Sequence, residues 1–264
     1  MRMALYSDLH LELGSWIPPE LEDVDVVVLA GDIGKHTHGL TWASNAFRRA
    51  PVSPEVIYVA GNHEYYDAHL GLLAEMQKPE WAAAGVQFLE RRSIELAGVR
   101  FLGCTLWSGF SLYGADKVSG CMSIAKRGIN DFWLIHAKGG NYLTPLDTFK
   151  MHRTAVRWLD NELAKPFDGK TVVVTHFAPH PGCVAPHHQD SDVSPYFVTD
   201  LSHLMQRHRI DVWCHGHTHT NNDFIAENGC RVVSNQLGYP SERTSMQYGL
   251  KMDTGFLNDL VIEL

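Results

Sequence analysis

The hydrophobic pattern of this chain predicts a mixed α/β domain on three observations. Short apolar runs of strand length, rich in Val, Ile and aromatic residues, recur along it. Segments with helical spacing lie between them, and most runs stop abruptly at a glycine or a polar residue. No internal repeat and no Pro-, Gly- or Ser-rich linker divides the 264 residues, so one domain over 1–264 is expected.

Composition narrows the class. At 45% hydrophobic and 20% charged, the chain has the make-up of an ordinary globule, and its formal charge of −8 argues against a nucleic-acid partner, which wants a basic face. That balance leaves an anionic substrate open, because bound cations supply positive charge that a residue count omits. Five cysteines, an odd number with no Cys-x-x-Cys pair, fit a reducing compartment rather than a disulfide framework or a zinc ribbon. No charged-then-apolar leader precedes the first strand-like run and no apolar stretch has membrane-spanning length, so no membrane is expected and the cytoplasm is the expected location.

Taken in order, residues 3–7 read as a buried strand delivering Asp8-Leu9-His10. Asp8 and His10, two apart, share one side of extended backbone and could bind one cation; alone, such a pair is more often surface than site. Residues 24–30 form a second apolar run closed by Gly31-Asp32, where Asp32 reads either as a helix N-cap or as a carboxylate with a partner, since burying one unpaired is costly. Residues 56–60 form a third, stopping at Gly61-Asn62-His63-Glu64. Gly61 lets the chain turn where a side chain would crowd it, and polar residues at a strand end sit where α/β sheets collect ligands. Residues 79–84, 86–89 and 99–103 read as a helix end and two strands.

Residues 107–144 break the rhythm. They mix aromatics (Trp107, Phe110, Tyr113, Phe132, Trp133, Tyr142) with glycines and the cations Lys117, Lys126, Arg127 and Lys138, which reads as an inserted lid of short helices and loops, or else as a solvent-exposed excursion. Residues 145–163 have helical spacing. Residues 171–175 form a strand with His176 behind it, followed by a loop rich in proline and histidine. His180, His187 and His188 of that loop either line a substrate pocket or lie plainly on the surface. Residues 201–208 read as an amphipathic helix, 210–214 as a strand ending in His215-Gly216-His217-Thr218-His219, and 231–234 and 257–264 as the last strands.

Five strand-like runs thus end in residues able to bind metal or move protons: Asp8 and His10, Asp32, Asn62 and His63, His176, and His217 and His219. All the candidate ligand atoms are oxygen or imidazole nitrogen, which suits a working centre of Mn, Fe or Zn and argues against a closed structural zinc site. One cation cannot use them all. Two transition-metal ions, divalent or mixed-valence, are the economical assignment.

As an ordered set, Asp8-x-His10, Gly31-Asp32, Gly61-Asn62-His63-Glu64, His176 and Gly216-His217-x-His219 resemble the five motifs of the calcineurin-like metallophosphoesterases. The resemblance implies a two-sheet β sandwich flanked by helices, with a binuclear centre at the strand ends. It implies that Asp8, His10, Asp32 and His219 hold one metal and Asp32, Asn62, His176 and His217 the other, Asp32 bridging. Two cations about 3.5–4 Å apart activate a water and grip phosphoryl oxygens during in-line displacement. His63, beside a ligand but not one by the resemblance, would protonate the leaving oxygen, a task its titration range suits. Glu64 reads equally as a partner to the ligands or as a helix-start carboxylate, and His215 as packing or support.

Departures sharpen the expectation. Gly31-Asp32 continues as Ile-Gly-Lys-His, and Ala60 stands where the phosphoprotein phosphatases carry an arginine, so arginine clamps for a protein-bound phosphate are missing there. His36 could point into the pocket or lie on a surface loop. The expected activity is hydrolysis of a small phosphomonoester or phosphodiester; the competing readings are a non-catalytic interaction module on the same fold, and a nuclease.

Overall fold

The computed structural model describes residues 1–48, 53–137, 139–244, 246–247, 250–251 and 254–264. Lys138, counted above among the lid cations, lies outside them. Two sheets carry the architecture. The first runs, edge to edge, Val261–Glu263, Arg2–Tyr6, Val26–Ala30, Glu55–Val59 and Val86–Phe88, with all neighbours parallel except the antiparallel Val261–Glu263 edge. The second runs Asp223–Ile225, Arg231–Ser234, Val212–His215, Lys170–Thr175, Val99–Cys104 and Arg92–Leu96, parallel in its centre and antiparallel at both edges.

Strand periodicity explains the layers. Successive side chains point to opposite faces. Met3, Leu5, Val26, Val28, Ala30, Ile57 and Val59 of the first sheet meet Phe101, Val172, Val174, Val212, Cys214 and Val233 of the second in one core between the sheets. The alternate residues Ala4, Tyr6, Val27, Leu29, Val56 and Tyr58, with Leu102, Val173, Trp213 and Val232 of the second sheet, belong to the core formed with the flanking helices, whose buried members include Leu40, Ala43, Leu159 and Leu204. Both faces are therefore covered, which is why these strands read as unbroken apolar runs rather than alternating ones. Each fully buried Val, Leu or Ile contributes roughly 1.5–3 kcal/mol relative to exposure. The expected sandwich flanked by helices is the observed one.

The predicted helix over 145–163 is the Pro145–Leu163 helix, started by a capping box in which Thr144 accepts from the Asp147 backbone and Asp147 accepts from Thr144, with Pro145 in the first turn. The amphipathic segment at 201–208 forms the shorter helix Ser202–Arg207. The Arg92–Leu96 and Asp223–Ile225 edge strands were not expected; half-exposed and short, they carry no apolar run to announce them. No helix among the described residues is long and apolar enough to cross a membrane.

What positions the site is the common edge where the parallel strands end. Backbone pairing continues past the strands there: Asp8 N donates to Gly31 O (3.0 Å), His10 N to Asp32 O (3.0 Å) and Gly216 N to His176 O (2.9 Å). The chain leaving Arg231–Ser234 then crosses to the first sheet, where Ser7 N donates to Asn235 O, Leu237 N to Ser7 O and Gly238 N to Asp8 O (2.9, 3.1 and 3.1 Å). The two sheets are stitched together at this edge.

Candidate metal centre

Residues from both sheets converge at the stitched edge. Asp8, His10 and His219 form one group of potential ligands and Asp32, His176 and His217 another, each with its ligand atoms within 4.8 Å of one another. The two groups adjoin: Asp32 Oδ2 lies 3.4 Å from His176 Nε2 and 4.0 Å from His10 Nε2, while Asp8 Oδ1 lies 3.3 Å from His219 Nε2. Asn62 Oδ1 stands 3.1 Å from His176 Nε2, joining the second group. All seven residues proposed as ligands from sequence are therefore brought together.

Local backbone makes this possible. Asp8, His10, Asp32, His217 and His219 all adopt left-handed φ, between 47° and 73°, a region that costs non-glycine residues free energy and persists only where surroundings enforce it. Gly61 is required by proximity: a Cβ there would lie 2.1 Å from Asp32 Oδ1 and 2.7 Å from His176 Nε2. Gly216 is similar, its Cβ falling 2.5 Å from Asp8 Oδ2. The glycines of the sequence motifs are there because the ligands pass so close.

Most of the imidazoles are held by Nδ1 so that Nε2 faces inward. His176 Nδ1 donates to Ala30 O (2.9 Å), His219 Nδ1 to Glu242 Oε2 (2.7 Å) and His10 Nδ1 to Glu12 Oε1 (3.2 Å). A fixed outer partner sets which nitrogen is left for a metal. The result fits cations. His10 and His219 present Nε2 to each other at 3.1 Å, two lone pairs that need a positive charge between or upon them, and the buried His217 Nε2 has no hydrogen-bond partner among the described residues.

The electrostatics point the same way. Burial raises the Asp8 carboxyl, yet the hydrogen bond from His219 and the charges of His176 and His219 outweigh it and hold Asp8 at about 2. Asp32 is likewise held low against burial, chiefly by His176 and His63. Burial lowers His176 and His219, but the carboxylates of Asp32 and Asp8, with Glu242 for His219, lift them to about 9 and about 10. Burial takes His10 and His217 down. The carboxylates demand positive charge; in the protein's own field, protons on two histidines meet it.

His63 stands beside the ligands. Its Nδ1 donates to Glu12 Oε1 (2.9 Å), its Nε2 lies 3.9 Å from Asp32 Oδ2 and 2.9 Å from the Tyr239 hydroxyl, and its ring stacks on Tyr66. Burial works against its protonation, but Asp32 and Glu12 outweigh it and raise its pKa. Glu64 turns inward, fully buried, and accepts from Gly61 N (2.7 Å), Asp32 N (3.1 Å), Ile33 N (3.0 Å) and Tyr58 Oη (2.7 Å). Of its two readings, the partner to the ligand loops is the one observed. His215 is fully buried, its Nδ1 donating to Gly216 O, and burial takes its pKa down to about 4.

A cavity of about 340 Å³ opens over the cluster, with Asp32, Asn62, His63, His217 and His219 on its floor. Its outer wall includes Ile129, Val184, Val193, Phe197 and Val198, and His188 lines it too. His36, His180 and His187 are not among its lining residues, so of the two readings open for each the one away from the pocket is found. His36 Nε2 is bonded to Tyr66 O, on the outside of that turn; His180 accepts from Gly182 N and faces Glu227; His187 is exposed. Within the 107–144 insertion, Trp107, Phe110 and Phe132 are buried, Trp133 and Tyr142 are exposed, and residues 128–131 line the cavity.

Sequence reasoning missed Glu12, Asp131, Tyr239 and Glu242. Glu12 had a signal, since Asp8-x-His10-x-Glu12 continues the alternation by one step. The others come from distant segments with no pattern to mark them.

A family model for calcineurin-like phosphoesterases matches residues 1–221. The chain belongs to that family. It is 28% identical over 275 residues to the uncharacterised protein L509 of Acanthamoeba polyphaga mimivirus, covering 93% of this chain and 94% of that one. The fold is similar to that of a phosphopantetheinyl hydrolase from Mycobacterium tuberculosis (TM-score 0.67, 21% identity, 90% of this chain and 89% of that one). It is also similar to a dimetal phosphatase from Danio rerio (TM-score 0.53, 14% identity, 89% and 87%). As a family member the chain is a hydrolase of the metallophosphoesterase kind with candidate residues for two metals. Tyr239 and Glu242 lie beyond the matched region.

Proposed function

We propose that this phosphoesterase hydrolyses a small phosphomonoester or phosphodiester at a two-metal centre, with Asp8, His10, Asp32 and His219 holding one ion and Asp32, Asn62, His176 and His217 the other. The observation that carries the reading is the pair of carboxylate–imidazole groups adjoining at Asp32, with inward nitrogens of His10 and His219 only 3.1 Å apart. When bound, two ions of the Mn, Fe or Zn type supply Lewis acidity and a hydroxide at neutral pH.

The remaining work falls to the chain. Glu12 accepts from His63 Nδ1 and so holds the ring with Nε2 toward the cavity, where a proton on that nitrogen would pass to the leaving oxygen. The Tyr239 hydroxyl, 2.9 Å from that nitrogen, is placed to donate to the same oxygen once substrate enters. Asn62 contributes a neutral oxygen, which limits the negative charge met by an anionic substrate. No lysine or arginine is among the described residues lining the cavity, and its outer wall is largely apolar. A compact substrate whose substituent is uncharged and apolar fits such a wall, with His188 at its edge.

The test is reconstitution of metal-free protein with Mn, Fe or Zn, followed by rates on aryl phosphomonoesters, aryl phosphodiesters, cyclic nucleotides and dinucleotides. Metal-dependent turnover of at least one class is expected. Inertness with every metal would overturn the catalytic reading in favour of a binding module.

A further inference from the structure

Asn62 can serve a metal only through its oxygen. The two ends of a carboxamide are nearly identical in shape but opposite in chemistry: the oxygen carries lone pairs, while the NH2 group carries two donors and no lone pair for a cation. Something must decide which end faces the ions. The Asn62 Nδ2 donates to Asp131 Oδ1 at 3.0 Å and to the Tyr66 hydroxyl at 3.4 Å, leaving Oδ1 toward His176. A carboxylate only accepts, so a flipped amide would set two acceptors face to face at that distance.

Asp131 is itself held. It is buried (1% exposed), Tyr66 Oη donates to its Oδ1 at 2.9 Å and Tyr196 Oη donates to its Oδ2. It opens the short Asp131–Leu134 helix of the insertion. That helix is tied to the loop after Asn62, because Asp67 N donates to Leu134 O (2.9 Å) and Ala68–His69 pairs with Ile135–His136. A segment that reads as a cover from sequence thus sends one carboxylate to the cavity wall, against Asn62.

We propose that Asp131 is a positioning residue that locks the Asn62 carboxamide with its oxygen toward the metals, making the insertion part of the metal centre. This rests on the two-metal reading above. It also separates from it, since Asp131 touches no proposed ligand except Asn62 among the contacts described. Replacement of an outer partner of a metal ligand typically costs about 10–100-fold in affinity.

The experiment is titration of metal-free protein with Mn²⁺ or Zn²⁺ against a competing chelator, for wild type, Asp131→Asn, Asn62→Ala and the double variant. Asparagine at 131 keeps the shape but can offer either end to Asn62. We expect wild type to bind two equivalents, and Asp131→Asn to weaken one of them about 10–100-fold while leaving the other. In the Asn62→Ala background the same change should add almost nothing. Equal weakening of both equivalents, wild-type affinities in Asp131→Asn, or an undiminished loss without Asn62 would overturn the inference. Fewer than two equivalents in wild type would overturn the two-metal reading and this inference with it. Should Asp131→Asn not fold, Tyr66→Phe and Tyr196→Phe, which each remove one donor to Asp131, should give a smaller loss at that same equivalent; no loss in either would overturn it.

Discussion

The two sheets equip the same site in different ways. From the first come Asp8, His10, Asp32, Asn62 and His63, and two of their loops are pinned by one carboxylate, Glu64, which stands in the motif of Asn62 and His63 and accepts from the backbone of residues 32, 33 and 61. From the second come only imidazoles, His176, His217 and His219; His176 is held by Ala30 O, 146 residues off, and His219 by Glu242, which lies outside every sequence motif. One half is braced chiefly by a carboxylate that belongs to a motif, the other by groups that belong to none. Except for Asn62, which leans on Asp131, the first therefore carries its support inside a recognisable motif, while the second depends on groups that no motif announces.

That contrast can be broken at its joint. Asp32 lies within 4.0 Å of histidines from both sheets, His10 and His63 on one side and His176 on the other. Asp32→Ala should abolish occupancy at both metals, read by metal analysis after dialysis; a variant keeping two equivalents would remove the bridging role. His63→Ala should keep both metals and lower kcat by about 10²–10⁴-fold, the usual worth of a general acid, read by steady-state kinetics on an aryl phosphodiester with metal content measured in parallel.

The braces themselves sharpen the comparison. Glu64→Ala leaves four donors facing no acceptor, each a buried group whose abandonment costs about 1–3 kcal/mol, so it should lower the stability of the metal-free protein several-fold more than Glu242→Ala does. Glu242→Ala should instead cost about 10–100-fold in affinity for a single metal. Chemical denaturation and metal titration of the two variants separate these outcomes, and an equal stability loss would erase the distinction drawn above.

The smallest effect concerns pH. His176 and His219 have folded-state pKa values of about 9 and about 10, above the ordinary histidine value of 6.5. Their protonation therefore favours the folded state fully below pH 6.5, and that contribution is lost as pH rises through 9 to 10. Metal-free protein should accordingly lose thermal stability over that interval. Metal-loaded protein should not, because the ions replace those protons, and metal affinity should rise with pH over the same range. Melting curves at a series of pH values, with and without metal, give the sign directly.

Much of this was legible from residues alone. The core strands announce themselves because both faces are buried, and the Pro145–Leu163 helix because Thr144, Pro145 and Asp147 form a start signal. The seven candidate ligands were legible because each follows a strand whose apolar run ends abruptly. Asp131, Tyr239 and Glu242 were not, because a carboxylate or phenol is placed by the path of the chain and not by its neighbours. The histidines of the 180–188 loop stayed ambiguous for the same reason: ring chemistry suits a pocket or a surface alike, and of the three His188 lines the cavity.

Left-handed backbone at Asp8, His10, Asp32, His217 and His219 limits how this protein can be silenced. Short polar side chains tolerate that conformation and β-branched ones do not, so valine or isoleucine there would unravel the loop along with the chemistry. Asparagine in place of Asp8 or Asp32 would remove the charge and keep the turn. An inert twin made in that way would retain the shape of the cavity, and with it a means of trapping whatever molecule normally enters.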